Sequence, residues 1–132
     1  MDAKAVMLHI LKGEFGSPNV TDYVILETTL LLQQRNIPRG IKTLCDFLEE
    51  NKIRILYITE DTFSEAMKMT IDKTSDGLSL TDSIQVILSK LLNIDTIATF
   101  DGVLGRFFKL GVGKNYFETL DEKEKILLLG KK

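Results

Sequence analysis

The period of the apolar positions changes several times along the chain, and each change marks an element. Ala5 and Leu8, with Ala3, Met7 and Leu11 beside them, give a helical stripe that stops at Gly13 and Gly16. "SPNVT" then enters a short strand around Val20. "DYVILETTLLLQQR" is too long and unbroken for a strand, and it predicts a helix ending near Arg35 or Asn36. Pro38 opens the next helix, "RGIKTLCDFLEENK", with Ile41, Leu44, Phe47 and Leu48 on one face. "IRILYI" is rich in strand formers. Thr59 follows as the N-cap of "EDTFSEAMKMTIDK", where Glu60 and Asp61 complement the helix dipole. The loop "SDGLS" leads to a helix from Leu80 to about Leu92. "DTIATF" is the next strand, followed by a Gly-punctuated turn, a short helix, and "NYFETL" as the expected last strand. The tail, 121–132, is charged and then briefly apolar, and the pattern leaves it unassigned.

Strands that alternate with helices predict an α/β domain whose mostly parallel sheet is covered on both faces, giving three α/β/α layers. With 132 residues and 44% hydrophobic content, the chain suits a single domain, 1–132, around one core. It shows no internal repeat, linker or low-complexity segment.

Composition narrows the chemistry. The net charge of −2 supplies no global basic field, so polyanion binding would depend on a local patch. Cys45 is the only cysteine, which excludes an internal disulfide and a Cys-based zinc site. His9 is the only histidine, which removes His-cluster metals and His-dependent hydrolases. Any metal must therefore take oxygen ligands, which favours Mg²⁺ or Mn²⁺. No apolar run approaches the ~20 residues that span a bilayer, and the start carries no cleavage signal. A reduced, cytoplasmic protein with no membrane association is expected.

Three acids stand out. Glu27 has Tyr23, Val24, Leu30 and Leu31 as its helical neighbours, and burying a carboxylate there is costly unless a charge or metal meets it. The alternative is a boundary position where Glu27 reaches water or an Arg. Asp82 completes Ser79-Leu80-Thr81-Asp82, an S-x-x-[DE] capping signature, so a helix N-terminus accounts for it unless other acids converge there. Asp101 follows the apolar "TIATF" at a strand's carboxyl end, where open α/β sheets bind ligands, although Asp-Gly is also a common turn. Asp95 begins the same strand and belongs to the opposite edge. Glu27, Asp82 and Asp101 can share the carboxyl edge of one parallel sheet, and several such oxygens suit a hard divalent cation.

At these residues the sequence resembles the PIN-domain family, particularly small members of the VapC toxin type. The resemblance is carried by "VTDYVILETTLLL" and by "GLSLTDSIQVILSKLLNIDTIATFD", in that order and separation, and it extends from about residue 3 to 120. It implies a PIN-like fold, with a Mg²⁺- or Mn²⁺-dependent ribonuclease activity supported by four acids. By position, Glu27, Asp82 and Asp101 correspond to the second, third and fourth. The family pattern opens with an apolar strand ending in Asp, whereas this sequence begins in what resembles the following helix. Asp2 has no strand before it and is not assigned that role. A fragment or misassigned start, a degenerate member, and another segment filling the gap all remain open. "KILLLG", Lys125 to Gly130, is the candidate segment.

Two main readings follow. One is a PIN-type endoribonuclease, the toxin of a toxin–antitoxin pair with RNA as substrate and a VapB-like antitoxin as partner. Its metal-binding and catalytic residues would be Glu27, Asp82 and Asp101, with Arg106, Lys109 and Lys114 contacting phosphates or simply forming a solvated basic edge. The other is a non-catalytic PIN-like module that binds RNA or protein. A different α/β small-ligand domain is a third class, but neither "GEFGS" nor "GVLGRFFKLGVG" has the spacing of a P-loop or a dinucleotide fingerprint. Exposed apolar surface left by an incomplete sheet favours a homodimer.

Overall fold

Side-chain caps set where several of the helices begin. The computed structural model describes residues 1–130. Thr21 Oγ1 accepts from Val24 N, Thr59 Oγ1 from Thr62 N, and Ser79 Oγ from Asp82 N. These bonds satisfy otherwise orphaned N–H groups. The chain runs α1 (Asp2–Leu11), β1 (Asn19–Thr21), α2 (Asp22–Gln34), α3 (Gly40–Glu50), β2 (Arg54–Leu56), α4 (Glu60–Asp72) and α5 (Leu80–Leu91). It continues with β3 (Thr96–Thr99), α6 (Gly102–Gly105), β4 (Leu110–Gly113) and α7 (Glu122–Leu129). Short 3₁₀ turns occupy Thr74–Asp76 and Tyr116–Thr119.

The α/β class and its parallel strands agree with the sequence reading, and the layering is PIN-like. The strands form two parallel pairs. β1 lies beside β2 with Val20 opposite Ile55, and β3 beside β4 with Ala98 opposite Val112. Leu56, Ala66, Ile84 and Leu88 form the buried centre, joining β2 to α4 and α5, with Tyr23, Ile58 and Ile94 packed around it. On β3 and β4, α1 contributes Val6 and Ile10 to an apolar seam with Ala98 and Val112. The α2–α3 turn is tight. A Cβ on Gly40 would lie 3.3 Å from side-chain atoms of Leu32 and Ile37, so glycine lets the two helices close together.

Three expectations are corrected. Pro38 does not open α3; Arg39, at φ 56°, turns the chain and the helix starts at Gly40. "NYFETL" is not a strand. Asn115 takes a left-handed conformation (φ 65°), Tyr116–Thr119 coil into a 3₁₀ turn, and the last strand is the preceding Leu110–Gly113. "KILLLG" does not join a sheet, because Asp121 and Glu124 form a capping box that starts α7 and carries the run into a helix.

Candidate functional site

Each candidate acid sits where its local sequence puts it. Asp101 is the N-cap of α6, and its Oδ1 accepts from Val103 N (2.9 Å) and Leu104 N (3.3 Å). Its own N–H donates to Thr99 Oγ1 at 3.0 Å, which closes the turn after β3. Asp82 forms the expected capping box: Oδ2 accepts from Ser79 N at 3.3 Å, and its N–H donates to Ser79 Oγ at 3.1 Å. Glu27 lies in α2, exposed beside the exposed Leu26 and Leu30. Glu27 is thus at a wet boundary, and no desolvation demands a cation beside it.

Two relations draw these positions toward one region. Gly77, just before α5, faces Val103 of α6, so the start of α5 adjoins the turn that holds Asp101. Val24, one turn before Glu27, and Gln85, one turn after Asp82, line a common groove. Proximity of the elements does not become a ligand set. Among the described residues, no group of three or more His, Cys, Asp or Glu side chains could hold a metal ion. Two of the three candidate acids already accept capping bonds. As folded here, Glu27, Asp82 and Asp101 therefore do not fit a shared divalent ion.

Asp101 does have a cleft. A cavity of ≈ 460 Å³ is bounded by Thr99, Asp101, Gly105, Arg106, Gly111 and Lys114. Two of the three expected cations, Arg106 and Lys114, reach it; Lys109 is not among its walls. Both are exposed, and neither forms an ion pair among the described residues, so their charges are free to meet an anion. The glycine walls keep the backbone accessible. Such a cleft can position a phosphate without reading a base.

Sequence reasoning missed two polar clusters. Asp22, at the β1–α2 junction, accepts from Ile58 N through Oδ2 at 3.3 Å and straps β1 to the end of β2. Its Oδ1 is buried without a hydrogen-bond partner. An Asp directly after a short strand was the available signal, the same one that drew notice to Asp101. The second cluster ties the chain's two ends together. His9 pairs through Nδ1 with Tyr116 Oη (2.7 Å) and through Nε2 with Glu124 (2.9 Å), while Lys12 donates to Glu124 at 2.7 Å. The Lys12 ammonium and then His9 hold the Glu124 carboxyl down at about 2. Asp2 accepts from Phe117 N and Asn115 N, each at 2.9 Å, and these bonds lower its pKa in that order. Asp2 is a structural strap.

No family model matches the chain. It is 29% identical over 126 residues to a VapC ribonuclease of Archaeoglobus fulgidus, an alignment that covers 95% of this chain and 78% of that protein. The resemblance seen in two motifs thus extends along nearly the whole sequence.

Proposed function

We propose that this chain, VapC-like and of the PIN type over almost its full length, is a ribonuclease that hydrolyses RNA phosphodiester bonds beside Asp101. The single observation that carries the reading is the 126-residue similarity to a VapC ribonuclease. The cleft lends it physical support: Arg106 and Lys114 stand ready for phosphate oxygens at the carboxyl end of β3. On this reading the protein is the toxin of a pair, restrained by a VapB-like antitoxin in the cytoplasm, and it acts as a homodimer. Among the described residues, no helix is long and apolar enough to cross a membrane.

Glu27, Asp82 and Asp101 are the proposed catalytic and metal-binding acids, and their oxygen-only character selects Mg²⁺ or Mn²⁺. Because the three do not form a ligand set as folded, this chain alone is expected to bind divalent ions weakly and cleave RNA poorly. That disagreement favours a second reading, a PIN-like module that binds RNA or protein without cutting.

Calorimetry with Mn²⁺ and a labelled single-stranded RNA separate the two. Asp101→Asn is a clean probe, since Asn caps helices as well as Asp does and the α6 turn survives. Slow cleavage lost in D101N supports the enzyme. RNA binding without cleavage, unchanged in D101N, supports the module. If neither binding nor cleavage is detected at low salt, both readings fail. Removing Arg106 and Lys114 together should flatten the salt dependence of RNA binding, lowering the log–log slope by about 1.4 for a single strand.

A further inference from the structure

Phe100 is a large apolar residue left in water beside charged groups. It lies between the last residue of β3 and the N-cap of α6, and it is 62% exposed. Among the described residues three aromatic residues are exposed, Tyr57, Phe63 and Phe100, and only Phe100 borders the cleft that holds Asp101, Arg106 and Lys114. Folding gains little from a ring in that position. Its backbone is nevertheless pinned on both sides. Asp101 N donates to Thr99 Oγ1 across it at 3.0 Å, and Asp101 then caps α6 through Val103 N and Leu104 N. A Cβ on Gly113 would lie 3.4 Å from Phe100 Cδ1, so one edge of the ring rests against the bare backbone of β4.

Two kinds of surface meet at this ring. One is the ≈ 460 Å³ cleft, where Arg106 and Lys114 have no ion-pair partner among the described residues. The other is a separate pocket of ≈ 170 Å³, where Phe100 shares the wall with Ala3, Val6, Met7, Ala98 and Val112. A nucleotide has the same two halves, a charged phosphate and a flat ring with an apolar face. We propose that Phe100 is a base platform: an unpaired base stacks on the exposed ring while Arg106 and Lys114 hold the adjoining phosphate. The proposal rests on the ribonuclease reading and adds a contact to the base, which the cations alone do not make.

The chemistry sets what the platform selects. Bases paired and stacked within a duplex present no free face, so the strand held here is single. Thr99 is the one polar side chain in the wall of the apolar pocket, so selection rests on ring area rather than on base edges. The platform tolerates any base and discriminates against the absence of one. A protein surface is the poorer occupant. Protein docking sites are contiguous apolar patches, whereas Phe100 shares its cleft with two cations, an acid, a threonine and four glycines.

The test is binding at low salt, measured by anisotropy with and without Mn²⁺. The probes are a fluorescein-labelled uridylate octamer, whose bases scarcely stack on one another, and an abasic ribose-phosphate strand of the same length and charge. The parent chain should bind the uridylate strand at least about fivefold more tightly than the abasic one. Phe100→Ala and Phe100→Leu should lower uridylate binding to the abasic level and leave abasic binding unchanged, while Phe100→Tyr keeps the parent affinity. Salt dependence should be the same for the parent and Phe100→Ala, because the phosphate contacts remain. Equal affinity of the parent for the two strands would overturn the platform, and is the result expected of a ring that serves a protein contact. That comparison needs no variant. Full binding by Phe100→Leu would overturn it too, since an apolar contact without a ring would then suffice. No binding of either strand under both conditions removes the ribonuclease reading and the platform with it, whereas equal binding of both strands removes the platform alone.

Discussion

Glu124 shows how one side chain can serve two elements at once. One carboxylate oxygen closes the capping box of α7 through Asp121 N, while the other meets Lys12 and His9 of α1. Its pKa falls from an ordinary 4.5 to about 2 as a result. A carboxyl lowered in the folded state adds stability that is fully present above the unfolded value and fades as pH drops through the folded one. The window is therefore about pH 4.5 down to about 2. Glu124→Gln keeps the capping geometry, since Gln serves at that position, but removes the charge that Lys12 and His9 meet. The variant should have a lower urea midpoint at pH 7 and a flatter loss of stability between pH 5 and pH 3. An unchanged acid limb would mean that the ion pairs are absent in solution. No local pattern announces this cluster, because His9 and Tyr116 are 107 positions apart. The capping role of Asp82 and the turn at Asp101 were legible, by contrast, since a cap or a turn depends on residues within a few positions of itself.

Among the elements, β4 is the one the sequence disguises. Gly111 and Gly113 read as turn residues, and the strand was expected to begin five residues later, at Asn115 rather than Leu110, but close approach is what they serve. A Cβ on Gly111 would lie 3.3 Å from the Gly105 backbone, and one on Gly113 would collide with the carbonyl of Thr99. Strand β4 can lie beside β3 and under α6 only without side chains at those points. Gly113→Ala should therefore destabilise the protein by about 1–3 kcal/mol or more, as overpacking does where backbone cannot yield. Gly102→Ala is the internal control: a Cβ there meets nothing within 4 Å. It should be neutral or stabilising by up to about 1 kcal/mol. Urea unfolding of both variants decides the matter, and similar midpoints would remove the packing explanation. The other elements were legible for the opposite reason. α5 carries its apolar face in period, with Ile84 and Leu88 buried where the pattern places them. The division of the strands into two pairs follows from long-range register, which periodicity does not encode.

At the scale of the whole molecule, the burden falls on α2. It has no buried residue, although "DYVILETTLLL" is among the most apolar stretches of the chain. Leu26, Leu30 and Leu31 are 64%, 53% and 45% exposed, and Ile37 and Ile41 continue the surface at the α2–α3 turn. Isolated exposed leucines are ordinary, but a contiguous set on one helix marks an association surface. A symmetric dimer would place the same face of two copies together and remove those side chains from water, each contributing about 1.5–3 kcal/mol if fully buried. The expected behaviour is a concentration-dependent monomer–dimer equilibrium in sedimentation velocity. Leu30→Lys combined with Leu31→Lys should shift it to monomer with little change in the unfolding of the monomer, since neither side chain supports the core. A parent chain that stays monomeric at every concentration would sink the proposed homodimer. A double variant that dimerises as before would move the interface elsewhere, with the exposed Phe63, Met67 and Ile71 of α4 the next face to test by the same substitutions.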